Sequence, residues 1–211
     1  MREWWIRTLL VVQAPRPVFV ALRDESKESV ADRSEPVLAI VLLAGIAYAL
    51  ATPAASTLME DRDYDALLVA VWAFLGGAAV GAFAYWAFGA VLYGSVRLLG
   101  SRGSFRRARH VLAFAWVPIV LSLALWPVKL ALYGEDWFRD GGSDTGAVAD
   151  AFRVLDFAFL AWAVALLVLG IRAVHGWTWP RAAAASTLAI AATAVMVGAP
   201  SALNALAGWF A

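Results

Sequence analysis

The sequence predicts an all-α, polytopic membrane protein, with five transmembrane helices preceded by an N-terminal interfacial helix. Three observations predict it. Five long apolar runs, roughly Pro36–Leu58, Ala66–Leu99, Val111–Tyr133, Phe157–Val174 and Ala182–Ala207, each reach the roughly 18–20 residues that a bilayer core requires. The basic residues between the runs collect in alternate loops. The chain is 63% hydrophobic and 16% charged, where a soluble domain is about 45–50% apolar and about 25% charged. Residues 1–35 form a cytoplasmic or interfacial N-terminal segment and residues 36–211 a five-span domain. No length is left over for a second folded domain.

The elements follow in order. Glu3–Val12 is apolar, aromatic and basic but too short to span, so it either lies in the headgroup interface or packs on the bundle. Pro15 and Pro17 end any helix there, and Val18–Leu22 is a second short apolar patch. Leu9–Val12 is too short for the core of a cleavable signal, which leaves the first span retained. Asp24–Glu35 reads as a solvated connector of mixed charge, a helix turn or loop. After the first span, Glu60–Asp65 alternates carboxylates as a calcium loop does. Ala66 and Trp72 stand where that motif needs Gly and Glu, so the segment reads as a plain acidic loop.

The second run is 34 residues, about 51 Å as one helix at 1.5 Å per residue. It is expected to hold one span, roughly Val80–Leu99, after a tilted or interfacial segment from Ala66. Two spans would need an apolar turn near Gly76-Gly77 or Gly81, and would invert the basic loop that follows. Ala73, Gly77 and Gly81 recur every four residues and form a small-residue face for close helix contact, within the chain or in a homo-oligomer. Pro118 is expected to kink the third span.

Of the 17 Lys and Arg residues, thirteen fall on one side: Arg2, Arg7, Arg16, Arg23, Lys27, Arg33, Arg97, Arg102, Arg106, Arg107, Arg109, Arg172 and Arg181. Short basic loops stay cytoplasmic. The expected topology in a cell membrane is N-terminus inside and C-terminus outside.

Chemistry is scarce. With no cysteine, the chain has no disulfide, thiolate metal site or cysteine nucleophile. Gly100-Ser101-Arg102-Gly103-Ser104 is glycine-rich but lacks the phosphate-loop pattern, and neither H-E-x-x-H nor G-x-S-x-G occurs. His110 and His175 fall at span ends without a carboxylate nearby in sequence, a poor metal site. No catalytic residue, metal or cofactor is expected, and no nucleic acid, because no recognition module accompanies the basic patch. Arg102, Arg106, Arg107 and Arg109 have no acid between Asp65 and Glu135 to neutralise them. They are expected to contact anionic lipid headgroups, at about 1 kcal/mol per residue. Lys129 and Asp156 sit at matched depth in the third and fourth spans and are expected to form an intramembrane ion pair.

Three segments carry a resemblance. The first is Leu9-Leu10 through Pro15-Arg16-Pro17-Val18-Phe19 to Leu22. The second is Leu99-Gly100-Ser101-Arg102-Gly103-Ser104-Phe105-Arg106-Arg107 continuing to Val117-Pro118. The third is Leu169-Gly170-Ile171-Arg172-Ala173-Val174-His175-Gly176 followed by Arg181-Ala182. Together they resemble a prokaryotic member of the Yip-domain family, the Ypt/Rab-interacting membrane proteins. The resemblance implies a five-span helical membrane domain. The Asp-Leu-Tyr-Gly-Pro and Gly-Tyr signatures of eukaryotic members are missing, and Ala113-Phe114-Ala115-Trp116 stands before Pro118 where the latter belongs. What carries over is therefore fold and membrane organisation rather than a GTPase partner. The expected function is a non-enzymatic scaffold that organises membrane, binds lipid or holds a membrane-protein partner. The alternative is a small transporter or channel component using the charges of the third and fourth spans.

Overall fold

The computed structural model describes residues 2–51, 66–134 and 145–209. The acidic loop at 60–65 and the C-terminal residue lie outside the described residues. Among the described residues nine α-helices follow one another: α1 (Arg2–Leu10), α2 (Pro15–Ala21), α3 (Lys27–Ala51), α4 (Ala66–Leu98), α5 (Phe105–Ala115), α6 (Val117–Ser122), α7 (Trp126–Tyr133), α8 (Ala147–His175) and α9 (Trp179–Trp209). A 3₁₀ turn, Leu123–Leu125, joins α6 to α7. Five stretches are long and apolar enough to cross a membrane: α3, Ala70–Leu98 of α4, α5 to α7 together, α8, and α9 to Ala199. The protein is a multi-pass helical membrane protein.

Several boundaries differ from the sequence expectation; the fourth span's helix, for one, starts at Ala147 rather than Phe157. The connector at 24–35 is helical from Lys27 onward, because Ser26 caps the helix: its Oγ accepts from Ser29 N at 3.3 Å. Pro36 is thus an interior residue of α3. Residues 66–79 are not a separate interfacial segment, since α4 runs unbroken through Gly76, Gly77 and Gly81. At 33 residues it is about 50 Å long, so it must tilt or project beyond a hydrocarbon core of about 30 Å. The third span begins at Phe105, six residues early, because Ser104 caps it and accepts from Arg107 N at 3.1 Å. Arg106, Arg107 and Arg109 therefore stand on a helix rather than in a loop.

The third span is interrupted next to Pro118, the residue at which the sequence expects a kink. α5 ends at Trp116, whose backbone lies at φ −81° and ψ −3°, and α6 starts at once with Pro118 in its first turn. Pro127 likewise lies in the first turn of α7. Proline is well placed there, since its missing N–H would have no partner in a first turn anyway.

The most extensive contact in the bundle is α3 against α4. There Gly45 of α3 meets Gly77 and Gly81 of α4 backbone to backbone. A Cβ on Gly45 would overlap Gly77 O, and one on Gly77 would lie 2.7 Å from Ile46 Cα. Ala73, one turn earlier on the same face, is half-buried. The sequence face is therefore an intramolecular seam. Elsewhere the core is Val37, Ile40, Val41, Leu92, Val111, Phe114, Leu166 and Ile171.

Of the two placements that the sequence left open for the N-terminal segment, the structure shows packing on the bundle. Trp4, Val11, Val18, Phe19 and Leu22 are buried in the core cluster, with Phe19 filling the gap over Gly170 of α8. On the opposite side Trp5, Ile6, Leu9 and Leu10 are exposed, Leu9 by 72%. α1 and α2 thus dock on the bundle and keep an apolar outer face.

Candidate functional site

One end of the bundle, here called the proximal end, gathers residues 2–26, the 99–110 stretch and the 172–181 link. The N-terminal segment is fastened there by charge. Glu25 Oε2 accepts from Arg107 Nη2 at 2.8 Å, and Oε1 accepts from Ser104 Oγ. Arg107 Nη2 also donates to Arg23 O at 3.1 Å. A carboxylate is therefore bound at the N-terminus of α5, where the helix dipole and the capping serine favour negative charge. Charge-assisted bonds of this kind contribute about 1.5–3 kcal/mol each.

Beneath this contact lies Arg33, fully buried at 0% exposure. Its Nε donates to His110 Nδ1 at 2.9 Å and its Nη1 to Asp24 O at 2.8 Å. Because arginine only donates, His110 Nδ1 is the acceptor and the imidazole proton sits on Nε2. The guanidinium also lies 5.6 Å from the centre of the Trp4 ring. Arg33 Nη2 has no hydrogen-bond partner among the described residues, and neither has Arg107 Nε.

Two further arginines close the ends of other helices. Arg23 Nε donates to Ala173 O and Val174 O, both at 3.1 Å, and Arg181 Nε to Leu99 O at 3.0 Å. Ala173 and Val174 belong to the last turn of α8 and Leu99 directly follows α4, so their carbonyls would otherwise lack intrahelical donors. Gly176 turns α8 off in the left-handed region at φ +66°. Aromatic rings back the remaining cations. Arg109 lies 3.5 Å from the Trp86 ring centre, 4.7 Å from Phe105 and 5.0 Å from Tyr85, while Arg181 lies 4.2 Å from Trp177. Gly89 leaves the space that the Arg109 stem occupies.

The four arginines of the sequence cluster thus divide. Arg107 is neutralised by Glu25, an acid 82 residues away in sequence, which corrects the expectation that no acid compensates the cluster. Arg109 is enclosed by rings. Arg102 and Arg106 are exposed. His110 and His175 take separate partners: His175 Nδ1 lies 3.3 Å from Ser101 Oγ. Away from this end, Lys129 Nζ is 2.7 Å from Asp156 Oδ2, with Lys129 2% and the Asp156 side chain 38% exposed. Trp126 and Phe152 flank the ammonium at 4.9 and 5.7 Å.

The family model of the Yip1 domain matches residues 9–199. The chain belongs to the Yip1-domain family. The match takes in all five spans and the Glu25–Ser104–Arg107 contact. No curated protein and no solved structure matches the chain. Within this Yip1 domain, sequence reasoning passed over Arg23, Glu25, Arg33 and Ser101, which it read as topology charges or loop residues. One signal was available. Arg33 stands three residues before the apolar run at Pro36, close enough for the bundle to cover it, but that position is equally that of a topology charge.

Proposed function

We propose that this Yip1-domain protein is a non-enzymatic membrane scaffold of the cell membrane. Its proximal end lies at the cytoplasmic face and holds anionic lipid headgroups. The observation that carries the reading is the division of the arginine cluster: Arg102 and Arg106 stay exposed beside a span start while Arg107 and Arg109 are consumed internally. The electrostatic contribution is then about 2 kcal/mol, at about 1 kcal/mol for each free arginine, half of what four would supply. Lys129 and Asp156 act as a structural pair in this reading, closed at 2.7 Å and flanked by the rings of Trp126 and Phe152.

Two experiments test it. Arg102→Gln with Arg106→Gln is expected to weaken the preference for anionic over neutral lipid in nanodiscs by roughly thirtyfold, the equivalent of about 2 kcal/mol. The wild-type preference should shrink as salt is raised. A double variant that keeps the full preference refutes the lipid contact. For orientation, the chain's lack of cysteine permits clean single-site labelling. In intact cells an impermeant maleimide should label Thr145→Cys and leave Glu28→Cys untouched; the reverse pattern places the proximal end outside.

A further inference from the structure

The sequence stretch Gly100–Ser104 does not fit a phosphate-loop pattern, yet the structure places an anion there, supplied by the chain itself. Glu25 reaches the N-terminus of α5 from the N-terminal segment, taking one bond from Ser104 Oγ and one from Arg107 Nη2. The donors at this place outnumber the carboxylate's contacts. Among the described residues Arg107 Nε is buried without a partner, and so is Nη2 of Arg33, a residue with 0% exposure. Arg33 Nη1 is held on Asp24 O at 2.8 Å, next in sequence to Glu25, and Glu25 lies within coulombic reach of the guanidinium. Arg106 and Arg107 lie within coulombic reach of the same group. A carboxylate has two oxygens in one plane. A tetrahedral phosphate offers more acceptor oxygens, spread in three dimensions, and suits a site with donors on several sides.

We propose that Glu25 occupies, in cis, an oxyanion site formed by Ser104 and Arg107 over the buried Arg33, and that the phosphate of an anionic lipid headgroup competes with it. Displacement frees the stretch around residues 23–26 from α5, so headgroup binding loosens one fastening of the N-terminal segment. The idea rests on the reading that this end faces anionic lipid, and it adds a gated site to the surface contact of Arg102 and Arg106.

The test uses the full chain in phosphatidylcholine nanodiscs titrated with phosphatidylglycerol, read by native mass spectrometry. Glu25→Gln removes the competitor. It should bind phosphatidylglycerol about tenfold more tightly, the gain expected if Glu25 fills the site about nine-tenths of the time. Adding Ser104→Ala or Arg107→Gln to that variant should erase the gain. A second measurement needs no variant: in the wild-type protein, phosphatidylglycerol should speed amide exchange at residues 23–26. Inorganic phosphate added alone distinguishes the source. If it reproduces the exchange effect, free phosphate is a ligand of the same site; if only the lipid does so, the headgroup is the ligand. A wild type that prefers anionic lipid through Arg102 and Arg106, with Glu25→Gln leaving affinity and exchange unchanged, overturns the gated site and spares the surface reading. A wild type without preference whose Glu25→Gln variant acquires one does the opposite. No response of either protein to either anion overturns both.

Discussion

Replacing Gly45 with alanine is expected to destabilise the bundle by about 3 kcal/mol, the upper end for an overpacked core, although only a methyl group is added. The new Cβ would overlap the carbonyl oxygen of Gly77 and crowd the backbone of Gly81. Backbone cannot rotate away as a flexible side chain can, so α3 and α4 must separate along their whole seam. Gly76→Ala is the control. It lies on the same helix as Gly77 but has nothing within 4 Å of its Cβ position. That change should be neutral or stabilising by up to about 1 kcal/mol through helix propensity. Unfolding in mixed micelles measures both, and equal stability of the two variants would show that the seam tolerates separation.

Asp156→Leu should cost about 3 kcal/mol, because it takes the carboxylate 2.7 Å from an ammonium that is only 2% exposed. Lys129→Met should likewise cost more than the double change, since it leaves the Asp156 carboxylate within a span without the ammonium 2.7 Å away. Combining the two removes both charges and should recover most of the loss. A double variant as unstable as the sum of the singles would mean that the two side chains do not act as a pair.

The spans were legible because bilayer length and hydropathy act on contiguous sequence. Matched depth was enough to put Lys129 and Asp156 at one level, and four-residue spacing was enough to mark Gly77 and Gly81. Their partner Gly45 was not legible, because one glycine in an apolar run carries no period. Helix starts were missed where a single serine decided them, at Ser26 and Ser104: a cap is one hydrogen bond, and apolar runs do not register it. The proximal contacts were illegible for another reason. Glu25 and Arg107 are 82 residues apart, as are Leu99 and Arg181, and Arg23 and Ala173 are 150 apart. Charge counting assigns such residues to a side of the membrane and says nothing of whom they meet.

The Arg23 contact also sets an order of events during synthesis. Phe19 and Arg23 leave the ribosome early, but their seat on Gly170, Ala173 and Val174 is 150 residues behind them. At about 5–20 residues per second that gap lasts on the order of ten to thirty seconds. Throughout it α2 lacks its seat on α8, and its apolar face is open to the bilayer surface or to a chaperone. Docking of α2 onto α8 is thus among the last steps of assembly, and a chain stalled before the fourth span should be protease-sensitive around α2.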